Sequence, residues 1–300
     1  MNISVIPTSA KKPSLLRYVS ILRLQDILVL QGAPLMGAAF AIGRPEPHDW
    51  SRLAILLIGN VCLMAHVFLL NDWAGLTADL ADPHKAAGVF TARGVGPREI
   101  GGMAAGLLAV SVLLFSRLSV VTAALALAIA LLSALYSLPR VHWKGRPLLN
   151  SAVHLGGGIV HFLLGYSVGS AIDPRGVATA LFFALIFAAG HLTQEVRDSK
   201  GDARNAIRTN AVTFGQRRTF AASLVLFTLA HILLLLLALG EMIPRPLAAV
   251  TLLYPVQLYW SFETLREGLT FGSVSRLQAR YRALYAVIGV AIVAVLCVSG

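Results

Sequence analysis

The stretch Leu53–Asp79 reads LAILLIGNVCLMAHVFLLNDWAGLTAD: an apolar run from 53 to 70 leads straight into an acidic segment that holds Asn71, Asp72 and Asp79. A second junction of this kind follows the apolar run 177–194, where the chain reads Gln194-Glu195-Val196-Arg197-Asp198-Ser199-Lys200-Gly201-Asp202. A carboxylate at a bilayer boundary is costly unless it meets a cation or water. Asp72 and Asp79 are seven residues apart, and Asp198 and Asp202 four apart, so each pair shares a face if its segment is helical. Two such faces brought together make an oxygen-rich cage of the kind Mg²⁺ prefers, above all when a substrate phosphate completes its shell.

The rest of the chain supplies the membrane around these segments. Of 300 residues 57% are hydrophobic and 13% charged, against about 25% charged in a soluble domain. Apolar runs fall near 22–42, 53–70, 101–116, 119–138, 148–170, 177–194, 219–239, 246–262 and 283–299. They are too long for barrel strands and long enough for spanning helices. The expectation is an all-α polytopic bundle of nine transmembrane helices, one integral-membrane domain over 1–300. Residues 1–21 form a polar cytoplasmic segment with no cleavable signal, and acidic loops lie near 71–100 and 194–218. Cys62 and Cys297 both sit in apolar runs, which points to buried thiols and no disulfide framework.

Basic residues set the expected orientation. Twenty of the 25 Lys and Arg fall in segments on the N-terminal side of the membrane, and five (Arg44, Arg52, Arg117, Arg175, Arg245) on the other. The positive-inside rule places the N-terminus and both acidic segments in the cytoplasm and the C-terminus outside, in an inner or cell membrane. The net charge of +11 follows from that topology and from anionic lipid headgroups. Because basic and acidic residues interleave in the same loops, part of it also suits a diphosphate, whose charge metal and guanidinium share. No nucleic-acid partner is expected.

With these residues in view, the chain resembles the UbiA superfamily of intramembrane prenyltransferases. That superfamily has nine spans, an Asn-Asp-x-x-Asp-x-x-x-Asp segment after the second and an Asp-x-x-x-Asp segment after the sixth. Asn71, Asp72 and Asp79 match the first pattern, with Gly75 where its middle Asp is expected, and Asp198 and Asp202 match the second. The stretch Ala206-Ile207-Arg208-Thr209-Asn210-Ala211-Val212-Thr213-Phe214-Gly215 resembles the Gly-Ile-Arg-Thr-x-x-Val-x-x-Gly tail. Tyr136-Ser137-Leu138-Pro139-Arg140 resembles the Tyr-x-x-x-Lys element, with Arg for Lys. Where the family carries an Arg-Pro-rich stretch, this chain reads Lys85-Ala86-Ala87-Gly88-Val89-Phe90-Thr91-Ala92-Arg93, basic but eroded.

The resemblance implies a Mg²⁺-dependent prenyltransferase that takes a prenyl diphosphate and a hydrophobic or aromatic acceptor in the membrane. Asp72, Asp79, Asp198 and Asp202 would hold metal, with Glu195 or Asp82 supplying the ligand that Gly75 removes. Asn71, Lys85, Arg93, Arg140, Lys144, Lys200 and Arg208 would hold diphosphate. Asp72, Asp198 and Tyr136 would act in catalysis. Departure of diphosphate leaves an allylic cation that the acceptor captures, in a site shielded from water.

Other readings compete. The altered first motif and eroded loop also fit a terpene cyclase on the same scaffold. A transporter of an anionic lipid or metabolite would place its polar groups nearer the midplane, whereas these carboxylates cluster at one boundary. A His/carboxylate metal oxidase would need His66, His154, His161, His191 and His231, all in or beside spans, to converge. His191 lies four before Glu195 and points the same way. Gly156-Gly157-Gly158 and the pair Gly165 and Gly169 are expected to permit close helix approach.

Overall fold

The structure, a computed structural model, describes residues 15–81 and 86–299. Lys85 and Asp82 lie outside the described residues. The chain is helical, with α1 (Leu15–Ile21), α2 (Leu24–Val29), α3 (Gly32–Ile42), α4 (Asp49–Ala81), α5 (Pro97–Ser116), α6 (Val120–Ser137), α7 (Leu149–Gly169), α8 (Pro174–Arg204), α9 (Asn210–Phe214), α10 (Gln216–Leu239), α11 (Tyr254–Arg266) and α12 (Phe271–Ser299). Among the described residues, eight helical stretches are long and apolar enough to cross a membrane, α2 and α3 counting as one.

The apolar run 246–262 makes a further crossing without one unbroken helix: Pro244 before it shares a cleft with Leu296 near the end of α12, whereas Gln278, early in α12, bonds Arg197 near the far end of α8. The run divides into a 3₁₀ segment, Arg245–Leu253, and α11. Pro255 stands at the start of α11; a proline there costs nothing to the helix that follows but cannot bond back to the one before. The run 22–42 is likewise broken, at Leu30 and Gln31 between α2 and α3. The narrow gap at 116–119 is a real turn: Ser119 Oγ accepts the Thr122 N–H at 3.0 Å and starts α6.

Two helices overshoot the bilayer. The 33 residues of α4 and 31 of α8 span about 50 and 46 Å at 1.5 Å per residue, against about 30 Å of hydrocarbon. Exposed Trp50 and Trp73 on α4 stand roughly 35 Å apart along the axis, the separation of two interfacial aromatic belts. Asp72 therefore lies at one membrane boundary, and Asp79 projects about 10 Å beyond it. The acidic segments are the protruding last turns of α4 and α8, not loops.

Packing between α3 and α7 is close enough to exclude any side chain. A methyl group on Gly165 would lie 1.8 Å from the Pro34 carbonyl oxygen, and one on Gly37 2.1 Å from that of Phe162. Gly169 meets Ile42 and Gly158 meets Ala184 in the same way, while Gly156 and Gly157 have nothing within 4 Å. The expected close approach holds at three of the five glycines. Small residues here replace hydrophobic driving force, which lipid does not supply, with backbone contact.

Candidate active site

The end of α6 joins the two acidic helices. Ser137, its last residue, donates its hydroxyl to Asn71 Oδ1 of α4 at 3.4 Å. Its neighbour Tyr136 is within electrostatic range of Glu195 and Asp202 of α8. Lys144, in the 3₁₀ turn after α6, is within range of both Asp72 and His191. Both acidic segments thus stand at one end of the bundle, about the residues that the sequence singled out after the fourth apolar run. His142, in the same loop, is held below the ordinary imidazole range, first by burial and then by Lys144 and Arg146.

Each leading carboxylate meets a guanidinium. Arg23, between α1 and α2, pairs with Asp72 and lies over the Phe68 ring, 5.5 Å from its centre. Asp79 is within electrostatic range of Asp72. On α8, Arg197 takes both oxygens of Asp198, Nε to Oδ1 at 2.7 Å and Nη2 to Oδ2 at 2.8 Å. Arg197 is itself tied to α12 by a 2.7 Å bond from Nη1 to Gln278 Oε1. Such forked pairs fix carboxylate orientation as well as charge. Reading the sequence placed Arg23 and Arg197 only among residues that set sidedness; for Arg23 no spacing signals a partner 49 residues away.

Glu195 is 3% exposed, and its carboxylate is engaged by four donors or potential donors. Oε1 receives Asn150 Nδ2 at 2.7 Å and Asn210 Nδ2 at 3.0 Å, with His191 Nε2 at 3.0 Å. Oε2 receives the Ala211 N–H at 3.2 Å. A buried carboxylate survives only when so satisfied. The result is that α7, α8 and α9 are tied at one point, and the tail 206–215 is docked against α8. His191 stands where its four-residue spacing from Glu195 predicts. Its ring stacks on His154 at 3.4 Å between centres, and His154 in turn meets Tyr136 edge-on at 5.2 Å.

The remaining basic candidates, Arg93, Arg140, Lys200 and Arg208, are exposed on the loops and helix ends around this centre. The five spanning histidines do not converge as a metal oxidase would need: His66 bonds the Ala104 carbonyl, His161 bonds Asn60 and His231 bonds the Phe227 carbonyl.

Among the described residues, no three His, Cys, Asp or Glu stand close enough to hold one cation by themselves. The donor chemistry nevertheless fits a hard ion. Carboxylate oxygens occupy the ends of two helices, and Lys144 is in range of Asp72 on one and His191 on the other, so oxygens of a bound phosphate would have to complete the shell.

A sequence model of the UbiA prenyltransferase family matches residues 33–268. No curated protein matches the sequence. Solved structures of other proteins share the fold, among them the following three. A UbiA homologue from Archaeoglobus fulgidus bound to DMAPP and Mg²⁺ is 18% identical, with TM-score 0.73 over 93% of this chain and 99% of that one. A digeranylgeranylglyceryl phosphate synthase is 16% identical, with TM-score 0.72 over 94% of this chain and 98% of that one. The apo UbiA homologue from Aeropyrum pernix K1 is 17% identical, with TM-score 0.69 over 91% of this chain and 98% of that one.

Proposed function

The chain belongs to the UbiA prenyltransferase family, and from that premise we propose that it moves a prenyl group from a prenyl diphosphate to an aromatic acceptor in a Mg²⁺-dependent reaction. The observation that carries this reading is the bridging of two acidic helix ends by the end of α6 and Lys144. The DMAPP and Mg²⁺ of the Archaeoglobus fulgidus homologue support it.

In this reading Asp72, Asp79, Asp198 and Asp202 hold the metal. Bound Mg²⁺ supplies neutralisation of the charge that develops on the departing diphosphate. Asn71, Lys144, Arg93, Arg140, Lys200 and Arg208, with Lys85, bind the remaining phosphate oxygens. Arg23 and Arg197 orient Asp72 and Asp198. Glu195, saturated by its four partners, fixes α7 and α9 against α8 and is withdrawn from the ligand set. Tyr136 and His154 form an aromatic wall on the membrane side of the carboxylates, where it screens the allylic centre from water and offers it a π face. The prenyl chain lies between the helices, below the charged rim.

The active site and the N-terminus face the cytoplasm, supported by the excess of basic residues on that side. A reporter fused after the last residue should be external; a cytoplasmic one would reverse the orientation.

The decisive experiment incubates the purified full-length protein in lipid with Mg²⁺ and a ladder of prenyl diphosphates, with and without aromatic acceptors, and reads products by mass spectrometry. A prenylated acceptor is expected. A cyclised hydrocarbon formed without acceptor would replace transfer by cyclisation, and no turnover of any prenyl diphosphate would defeat both.

A further inference from the structure

A cavity lies at the end of the bundle opposite the acidic helix ends. It has a volume of about 440 Å³ and is lined by Arg175, Glu241, Met242, Ile243, Pro244 and Arg245. A second cleft, of about 240 Å³, shares Arg175 and Pro244 with it and is otherwise walled by α3 and the end of α12, including Phe40, Ile42 and Leu296. The charged side chains Arg175, Glu241 and Arg245 stand in the first, the second is lined mainly by apolar residues, and Arg175 stands in both.

That arginine is incompletely satisfied. Arg175 Nε is buried and has no hydrogen-bond partner. A buried donor left unmade costs about 1–3 kcal/mol, so such a group asks for an acceptor. Charge points to an anion: two arginines and one glutamate line the larger cavity, and Glu241 already pairs with Arg245. Arg175 is also in the first turn of α8, whose N-cap Asp173 accepts the Gly176 N–H at 2.6 Å. The positive end of the α8 dipole therefore adds to the guanidinium.

Depth points to a lipid. Arg175 sits where α8 enters the membrane, at headgroup level, and the second cleft opens beside it against the last turn of α3 and Leu296 near the end of α12. A soluble anion would use the first chamber and leave the second without purpose. An anionic phospholipid uses both, with its phosphate on Arg175 and an acyl chain against Phe40, Ile42 and Leu296. We propose that these two joined cavities form a binding site for one anionic phospholipid in the leaflet opposite the acidic helix ends. The site is independent of the catalytic reading.

The test uses the full-length protein in neutral detergent, with native mass spectrometry and thermal unfolding in the presence of phosphatidylglycerol, phosphatidylcholine or inorganic phosphate. One phosphatidylglycerol should be retained and should raise the unfolding midpoint by several degrees. Arg175→Gln should weaken its retention about tenfold or more, the loss of a charge-assisted bond. Arg117→Gln, a charge removed on the same side of the membrane but away from the cavities, should not. Should Arg175→Gln fail to fold, Leu296→Trp fills the apolar cleft and must lower retention instead. Equal stabilisation by phosphatidylcholine, a full effect of phosphate alone, or undiminished retention in the Arg175→Gln or Leu296→Trp protein would overturn the proposal.

Discussion

Asn150 of α7 and Glu195 of α8 are joined by a 2.7 Å hydrogen bond, 45 residues apart in sequence and wholly buried. It is the shortest of the bonds that hold the Glu195 carboxylate, and it ties together the two helices that carry His154 and His191.

Asn150→Ala should therefore destabilise the protein by about 1.5–3 kcal/mol, the range for a hydrogen bond to a charged group. Thermal unfolding in detergent would read it. Asn150→Asp should be worse, since it places a second carboxylate against the first. An Asn150→Ala protein as stable as the parent would mean that Asn210, His191 and Ala211 suffice.

Asp198→Asn should lower turnover of prenyl diphosphate by about 10²–10³, the usual cost of removing one preorganised charge-stabilising group. Arg197→Gln leaves that carboxylate in place but frees its orientation, so its loss should be smaller and should be accompanied by weaker binding of Mg²⁺. Calorimetric titration with Mg²⁺ in the presence of a non-hydrolysable prenyl diphosphate analogue separates the two. Full activity in Asp198→Asn would remove α8 from the chemistry.

Gly75→Asp should lower the Mg²⁺ concentration at half-maximal activity. The position tolerates a side chain: a methyl group built there meets only Asp79 Oδ2, at 3.5 Å, ordinary contact. The added carboxylate would face Asp79, a repulsion that a divalent ion relieves. An unchanged metal requirement in a folded protein would show that the first wall lacks nothing.

The glycines of α7 make a paired prediction. Gly165→Ala forces a methyl group to 1.8 Å from a backbone oxygen and should cost about 1–3 kcal/mol through overpacking. Gly157→Ala, with open space around it, should be neutral or gain up to about 1 kcal/mol from helix propensity. Unfolding midpoints that fall equally in both would refute the contrast.

What could be read from the chain was whatever repeats or alternates over a local window. The run 53–70 followed by Asp72 and Asp79 already implied a helix ending in a charged face, and α4 is that helix. Glu195 and His191 were legible as neighbours because four residues bring side chains together on any helix. Asn150 and Asn210 were not singled out: an isolated asparagine has no periodic signature, and its partner is set by helix packing. Arg23 and Arg197 counted only toward orientation, because a bulk charge rule hides individual ion pairs. The broken run 246–262 is the opposite case. Its hydropathy is that of a span, and only the local effect of Pro255, outweighed in any averaged window, separates α11 from the 3₁₀ segment before it.

Because Asp72 and Asp198 ride on helices unbroken from the far side of the bilayer, no loop can absorb a change in membrane thickness on their behalf. A thicker bilayer would draw both carboxylates, with their arginines, toward hydrocarbon; a thinner one would lift them away from the apolar chain between the helices. Tilting can relieve part of this, at a fraction of a kcal/mol per Å. The acyl composition of the host membrane thereby becomes a physical control on how deeply charge and isoprenoid meet.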